Sequence, residues 1–106
     1  MNPEVLVRPE QDSGVPGGDV LLAYADAVIG PDLDALDKAR DALAEALGPA
    51  AVSGAAAIAA NFSKNDRIAN GLGIPVDEMV LKATEDLREQ LGLNDFGSAI
   101  NTFRHK

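Results

Sequence analysis

The sequence contains no cysteine, no tryptophan, a single histidine and only four aromatic residues, one Tyr and three Phe. Without cysteine the chain cannot form disulfides, thiolate metal sites or a thiol nucleophile. The single histidine, His105, is second from the end of the sequence, where chains fray. A Ser–His–Asp arrangement needs an oriented histidine and is therefore not predicted. Thiol catalysis is therefore excluded, and no catalytic residue is predicted.

Basic residues are also scarce, since nine Lys and Arg stand against 17 Asp and Glu, for a net charge of −8. Such a charge repels nucleic-acid phosphates and anionic lipid surfaces. The first residues, "MNPEVLVRPEQDSG", lack the basic start and long apolar run of a signal peptide. The apolar run at residues 50–60 is too short to span a bilayer. We therefore expect a cytoplasmic protein with no nucleic-acid or membrane partner.

Large apolar side chains are few: 46% of the residues are hydrophobic, but many of these are alanine and aromatics make up only 4%. Because small side chains bury little area, the core must bring helices close together or use surface from another subunit. A chain of 106 residues can form one domain without a metal or cofactor, and we expect none. The aspartates of "GPDLDALDKARD" do not have calcium-loop spacing and read as helix caps and a solvated face. We expect a homo-oligomer.

The pattern predicts an all-α protein, because no alternating strand pattern is longer than residues 5–7. Residues 1–18 contain three prolines and three glycines and are predicted to be an extended N-terminal arm. Residues 19–106 are predicted to be a single helical domain. Cap and stop residues divide it into four helices and a last short turn. The predicted caps are Asp19, Asp32 or Asp34, and Asp77, and the predicted stops are Gly30, Gly48, Gly71 with Gly73, and Gly92. The predicted ranges are 20–29, from 32 or 34 to 47, 49 to about 70, 78–91, and from 94 or 95 onward.

Three of these helices have an apolar side at helical spacing, which we expect to be buried. The residues on these sides are Leu21, Leu22, Ala25, Val28 and Ile29 in the first helix, Leu33, Leu36, Ala39, Leu43, Ala46 and Leu47 in the second, and Met79, Val80, Ala83, Leu87 and Leu91 in the fourth. The last turn has an apolar edge formed by Phe96, Ile100 and Phe103.

The third helix differs, because at residues 50–60 every side of it is small or apolar. This pattern is typical of a helix surrounded by others. Gly54 costs about 1 kcal/mol of helix propensity relative to alanine, and the close approach of a neighbouring helix would explain it. The fold class predicted is four to five helices around this central alanine-rich helix.

Polar residues fill the following two turns, and Asn65 falls on the same stripe as Ile58 and Phe62. A buried asparagine needs hydrogen-bond partners for its amide. Two interpretations stay open. The polar end ties the helix to loops and a second subunit, or it lines a small-molecule pocket. The candidate residues are Asn61, Phe62, Asn65, Asp66, Arg67 and Asn70.

"LLAYADAVIG" followed by "DALAEALGPAAVSGAAAIAANFSKNDRIANGLGIPVDE" resembles the C-terminal half of proteins of the alkylhydroperoxidase-D-like, carboxymuconolactone decarboxylase superfamily, especially its peroxidase-related branch. The resemblance covers about residues 20–78. Its most specific part is "ANFSKNDRIANGLGIPVD", where the family has Asn-Phe, Arg-Ile-Ala and a Gly-Ile-Pro helix exit. The matching residues, which are packing and helix-exit positions in the family, are Asn61, Phe62, Arg67, Ile68, Gly73, Ile74 and Pro75.

The resemblance implies an all-helical fold that oligomerises through its helices. Redox-active members carry a Cys-x-x-Cys pair with nearby His and Glu, upstream of the matched segment, and this chain has no cysteine. The implied function is a non-catalytic oligomeric or partner-binding subunit, with a cysteine-bearing partner as an alternative to self-assembly. The chain would then be a separate protein or half of a split gene. A second hypothesis is a thiol-independent enzyme, similar to carboxymuconolactone decarboxylase, or a small-molecule-binding protein, that uses the polar end of the third helix.

Overall fold

A computed structural model describes residues 1–104, in which all regular structure is helical. This confirms the all-α prediction. The described α-helices are α1 (Gly18–Ile29), α2 (Leu33–Leu47), α3 (Pro49–Leu72), α4 (Glu78–Ala83), α5 (Glu85–Leu91) and α6 (Ile100–Phe103). Short 3-10 helices occur at Pro3–Leu6, Leu93–Asp95 and Gly97–Ala99. The chain divides into two compact units, Met1–Lys64 and Asn65–Lys106, so α3 begins in the first unit and ends in the second.

The first residues fold back on themselves where an extended conformation was predicted. Pro3–Leu6 form a 3-10 helix whose N-terminus is capped by Asn2, which accepts the Glu4 N–H at 3.1 Å. The Asn2 amide also donates to Gln11 Oε1 at 2.9 Å, and Val5 is buried. The arm is therefore locally helical over Pro3–Leu6, while the division of the chain into an arm and one domain stays a prediction.

The start of α1 lies slightly before the predicted one. Gly17 is the N-cap, with φ of 71°, and Asp19 lies inside the first turn. A left-handed backbone favours glycine, and a Cβ at Gly17 would lie 2.9 Å from the Leu47 methyl groups. The prediction that Asp19 caps this helix is therefore wrong, although its carboxylate still suits the first turn of a helix.

Helix α2 begins at the predicted cap. Asp32 Oδ1 accepts the backbone N–H groups of Asp34 at 3.0 Å and Ala35 at 3.1 Å. The glycines at positions 30 and 48 end α1 and α2, as predicted. These ends were predictable because caps are made by residues adjacent in the sequence.

We expect the substitution Asp32→Ala to lower the free energy of unfolding by about 1 kcal/mol, because two helix N–H groups lose their acceptor. Urea unfolding followed by circular dichroism measures this loss. Asp77→Ala is a matched control, since Asp77 is the N-cap of α4 but makes no side-chain cap hydrogen bond. Equal losses in the two variants would contradict the capping role of Asp32.

The packing of the first unit is between α1 and α2, which lie along each other. Its buried apolar residues are Val5, Tyr24 and Leu43, and Leu43 is completely inaccessible to solvent. Tyr24 is absent from the predicted apolar side of α1. Conversely, the residues predicted to be buried but found exposed are Ala25, Ile29, Leu33, Ala46 and Leu47. Since α1 has adjacent apolar residues in each turn, two overlapping faces fit its sequence, and contact with α2 selects one.

Helix α3 is not enclosed by the chain, so the predicted central helix is wrong. None of its residues is buried, and Ile58 and Phe62 are each 62% exposed. A Cβ added at Gly54 would meet nothing within 4 Å, so no neighbouring helix of this chain explains that glycine. A helix without charged residues is typical of a helix shielded from water. The pattern does not specify whether the same chain or another one shields it.

The predicted fourth helix is two helices, α4 and α5, because the backbone leaves helical geometry at Thr84, with φ of −110° and ψ of 10°. The Thr84 hydroxyl donates to the Val80 carbonyl at 2.7 Å, a contact that bends helices. Arg88 Nη2 donates to the Leu81 carbonyl at 2.6 Å. In a continuous helix that carbonyl would accept the N–H of Glu85. The side chain of Arg88 thus replaces a backbone donor at the break.

In the described part of the second unit the core is small, with Leu91 and Thr102 as its buried residues, each 6% exposed. Gly92 ends α5 in the left-handed conformation, as predicted. The residues predicted to be buried on one side of this helix, or at the apolar edge of the last turn, are otherwise largely exposed: Met79, Val80, Ala83, Leu87, Phe96, Ile100 and Phe103. Short helices of four to seven residues offer too little continuous surface to cover these side chains.

Candidate functional site

All six candidate residues of α3 are exposed, and they divide between the two units. Asn61 and Phe62 belong to the first unit, and the other four to the second. The predicted burial of Asn65 is wrong, so its amide needs no buried partner. Asn70 lines a cavity within the second unit whose lining does not include the other five. That these residues form a pocket or an interface stays a prediction.

The first unit presents a segment of α3 without charge, residues 49–63, which we call the uncharged segment. It contains no Asp, Glu, Lys or Arg over 15 residues, or about 22 Å of helix. Gly54, Ile58 and Phe62 follow one another at intervals of four and share a face of the helix. Solvated helix surfaces normally carry charged residues. This segment has none, yet none of its residues is buried and the face formed by Gly54, Ile58 and Phe62 is exposed.

The second unit contains a cavity of about 300 Å³, which we call the C-terminal cavity. Its lining comes from the last turns of α3, both sides of the break at Thr84, and the last turns of the unit. The apolar lining residues are Ala69, Ile74, Val76, Leu81, Leu93, Phe96, Ala99 and Phe103. The polar lining residues are Asn70, Arg88, Asn94, Ser98, Asn101 and Thr102.

Three side-chain hydrogen bonds hold the walls of this cavity together. Thr102 Oγ1 accepts the Val76 N–H at 2.8 Å and joins the segment after α3 to α6. Arg88 joins α5 to α4 through the Leu81 carbonyl, and to the following turn through Asn94 Oδ1, 2.6 Å from Nη1. The cavity is therefore held by one contact between residues 26 positions apart and by two shorter-range contacts of Arg88.

Among the described residues, Arg88 is the charged group of the cavity lining. Its guanidinium makes three hydrogen bonds, and the third runs from Nε to Thr84 Oγ1 at 3.2 Å. All three acceptors are neutral, and within residues 1–104 no carboxylate pairs with it. By contrast, Arg8 and Arg40 are paired with Glu4 at 3.6 Å and Asp37 at 2.6 Å. A guanidinium has five N–H donors, so one remains on each terminal nitrogen of Arg88.

The chemistry that the cavity offers is binding and orientation. Its lining has hydroxyls on Ser98 and Thr102, and within residues 1–104 no histidine or carboxylate lines it to act as their base. His105 lies outside the described residues. Within residues 1–104, no three His, Asp or Glu side chains come together in a way that could hold a metal ion. In the same part of the chain, no helix has both the length and the apolar character to cross a bilayer.

A larger depression of about 560 Å³ lies along α1 and α2. Alanines form much of its lining, and its charged residues are Asp26, Asp32 and Lys38. The Asp32 carboxylate already accepts the N–H groups at the start of α2. The lining carries charges of both signs, so its charge does not favour one class of ligand. We place no ligand in it.

Sequence reasoning missed Arg88, Asn101 and Thr102. For Arg88, the only local signal is its position four residues after Thr84, which suits a side-chain contact on one helix face. Thr102 bonds a residue 26 positions earlier, and no sequence pattern reports such a contact.

No family model, curated protein or solved structure matches this chain in the three comparisons we made. The resemblance of residues 20–78 to the alkylhydroperoxidase-D-like superfamily stays a prediction from the sequence.

Proposed function

We propose that this chain is a non-catalytic helical subunit that assembles with copies of itself through the uncharged segment of α3. The observation that carries the proposal is that residues 49–63 carry no charge and that the face formed by Gly54, Ile58 and Phe62 is exposed. Monomeric proteins rarely expose continuous apolar surface of this kind, and where they do it marks an interaction site. The small side chains of the segment allow two helix backbones to approach closely.

The energy of such a contact comes mainly from Ile58 and Phe62. Fully burying either side chain is worth about 1.5–3 kcal/mol. Since each is 62% exposed, covering it would contribute about 1–2 kcal/mol. A two-fold contact buries both residues from both copies, for a total of about 4–8 kcal/mol before the cost of association.

The distribution of charge favours contact between two copies at the uncharged segment over contact at their acidic surfaces. Two chains of net charge −8 repel each other wherever their acidic surfaces meet. The uncharged segment contributes no acidic group to such a contact, and the first charge of α3 after it is a cation, Lys64, about 9 Å along the axis from Ile58. That separation is close to the screening length of about 8 Å at physiological ionic strength. Paired uncharged segments therefore bring apolar surface together with little electrostatic cost.

The resemblance described above supports the proposal, because members of that superfamily oligomerise through their helices. Under this proposal the chain is a member of that superfamily that has no cysteine. A cysteine-bearing partner is the alternative occupant of the same surface, and the oligomeric state of the purified chain distinguishes the two.

Sedimentation equilibrium of the purified full chain, from about 1 to 100 μM, tests the proposal. We expect the mean mass to rise with concentration from 11.0 kDa to a multiple of it. A strict monomer over the whole range would overturn self-assembly and leave a different partner to cover the uncharged segment.

The second candidate function is the binding of a small molecule at the polar end of α3. It is favoured by the C-terminal cavity, where Asn70 and Ala69 of α3 face the same space as Arg88. At about 300 Å³ this cavity is at the lower end of the range for ligand sites.

A further inference from the structure

We propose that the C-terminal cavity binds a small monocarboxylic acid with an apolar body, and that Arg88 pairs with the carboxylate. The inference deepens the second candidate function and rests on it, whereas it is independent of self-assembly through α3. All the residues that carry it belong to the second unit.

The first argument is charge. Arg88 is only partly exposed and makes hydrogen bonds to three neutral acceptors, so its charge has no counter-ion within residues 1–104. Acidic residues outnumber basic ones by 17 to nine in the sequence, yet none lines this cavity. A partly buried cation without a counter-ion favours an anion beside it. The cavity is thus a positive site on an acidic protein.

The second argument is that Arg88 is held in place before a ligand arrives. Its Nε, Nη1 and Nη2 atoms each donate one bond to the surrounding unit, so the guanidinium plane is oriented. One N–H on each terminal nitrogen remains to donate to an anion. A preoriented guanidinium loses little conformational entropy on pairing, which is the usual advantage of arginine in carboxylate recognition.

The third argument is the character of the remaining lining. Eight of the 14 lining residues are apolar, six of them leucine, isoleucine, valine or phenylalanine, and these suit a hydrocarbon or aromatic body. The side-chain amides of Asn70 and Asn101 line the same cavity and make no hydrogen bond to residues 1–104. Each can donate an N–H to the second carboxylate oxygen. A phosphate would want several cations, whereas a monocarboxylate is matched by one guanidinium.

Octanoate and octanamide are a suitable pair of probes, because they share an apolar chain and differ in the charge of the head group. Titration of the full chain, followed by ¹H–¹⁵N NMR, is expected to show octanoate binding about 10- to 100-fold more tightly than octanamide. The shifted amide signals should belong to residues of the cavity lining.

The variant Arg88→Gln is expected to reduce octanoate affinity about 10- to 100-fold and to abolish the preference over octanamide. Because Arg88 also links Leu81 to Asn94, circular dichroism must confirm that this variant folds. Ala69→Leu fills the cavity from α3 while leaving every Arg88 hydrogen bond in place, and it should also lose octanoate binding. Arg40→Gln, which removes a paired arginine on α2 outside the cavity, is the control that should bind normally.

Equal binding of the acid and the amide would overturn the carboxylate while leaving a cavity that binds apolar molecules. If neither compound bound, both the ligand class and the second candidate function would fail. Retention of octanoate binding by Ala69→Leu would place the site elsewhere. None of these outcomes bears on self-assembly, which sedimentation measures separately.

Discussion

Introducing a charge at Ile58 is expected to weaken self-association of the chain about 100-fold. In a two-fold contact the variant Ile58→Glu removes two apolar side chains, worth about 1–2 kcal/mol each, and places two carboxylates in the same apolar interface. Glutamate is a better helix former than isoleucine, so α3 itself should persist. Sedimentation equilibrium measures the change in the dissociation constant, and circular dichroism checks the helix.

Ile29→Glu is the matched control for this substitution. Ile29 is 67% exposed, close to the value for Ile58, and lies at the end of α1 outside the uncharged segment. It should leave the dissociation constant within about threefold, since an exposed substitution away from an interface typically changes free energy by no more than about 0.5 kcal/mol. Equal weakening by both variants would show that charge alone, and not the position on α3, governs association.

The largest expected effect on stability is that of Leu43→Ala. Leu43 is fully buried and lies in α2, where it packs in the α1–α2 core. Its truncation should lower the free energy of unfolding by about 2–5 kcal/mol through lost burial and the cavity left behind. For a chain of this size the melting temperature should fall by about 10 °C or more. Thermal and urea unfolding at a fixed protein concentration measure the effect, because association also stabilises the fold.

Leu33→Ala in the same helix provides the comparison. Leu33 is 73% exposed, and its substitution should change the unfolding free energy by no more than about 0.5 kcal/mol. If the two variants lost the same stability, the α1–α2 pair would not be the core of the first unit. Because Leu43 is distant in sequence from the cavity lining, octanoate binding offers an independent check that the second unit stays folded.

Helix ends were predictable where the determinants are adjacent in the sequence. Asp32 caps α2 with an oxygen two and three residues from the N–H groups it accepts, and Gly92 ends α5 because glycine enters the left-handed region without strain. The break at Thr84 was not predictable in the same way. It depends on Arg88 taking the Leu81 carbonyl, a choice between a side-chain and a backbone donor that periodicity does not report.

The exposure of α3 also changes what the resemblance rests on. The predicted enclosure of the alanine-rich helix would have supported it, and α3 has no buried residue. What remains is the matched sequence, mostly within residues 61–75. The proposal of self-assembly instead gains a direct observation. The uncharged segment of α3 has the composition of a buried surface, yet this chain leaves Ile58 and Phe62 exposed.

By itself, the sequence determined that the chain is helical, where most long helices end, and that thiol chemistry is excluded, because periodicity, caps and composition are local properties. Only the tertiary structure decided which face of α1 meets α2, that α3 is left open, and that Arg88 meets Asn70 and Thr102 around one cavity. These outcomes depend on contacts between residues far apart in the chain. Several such arrangements satisfy the same local pattern, and packing energy selects among them.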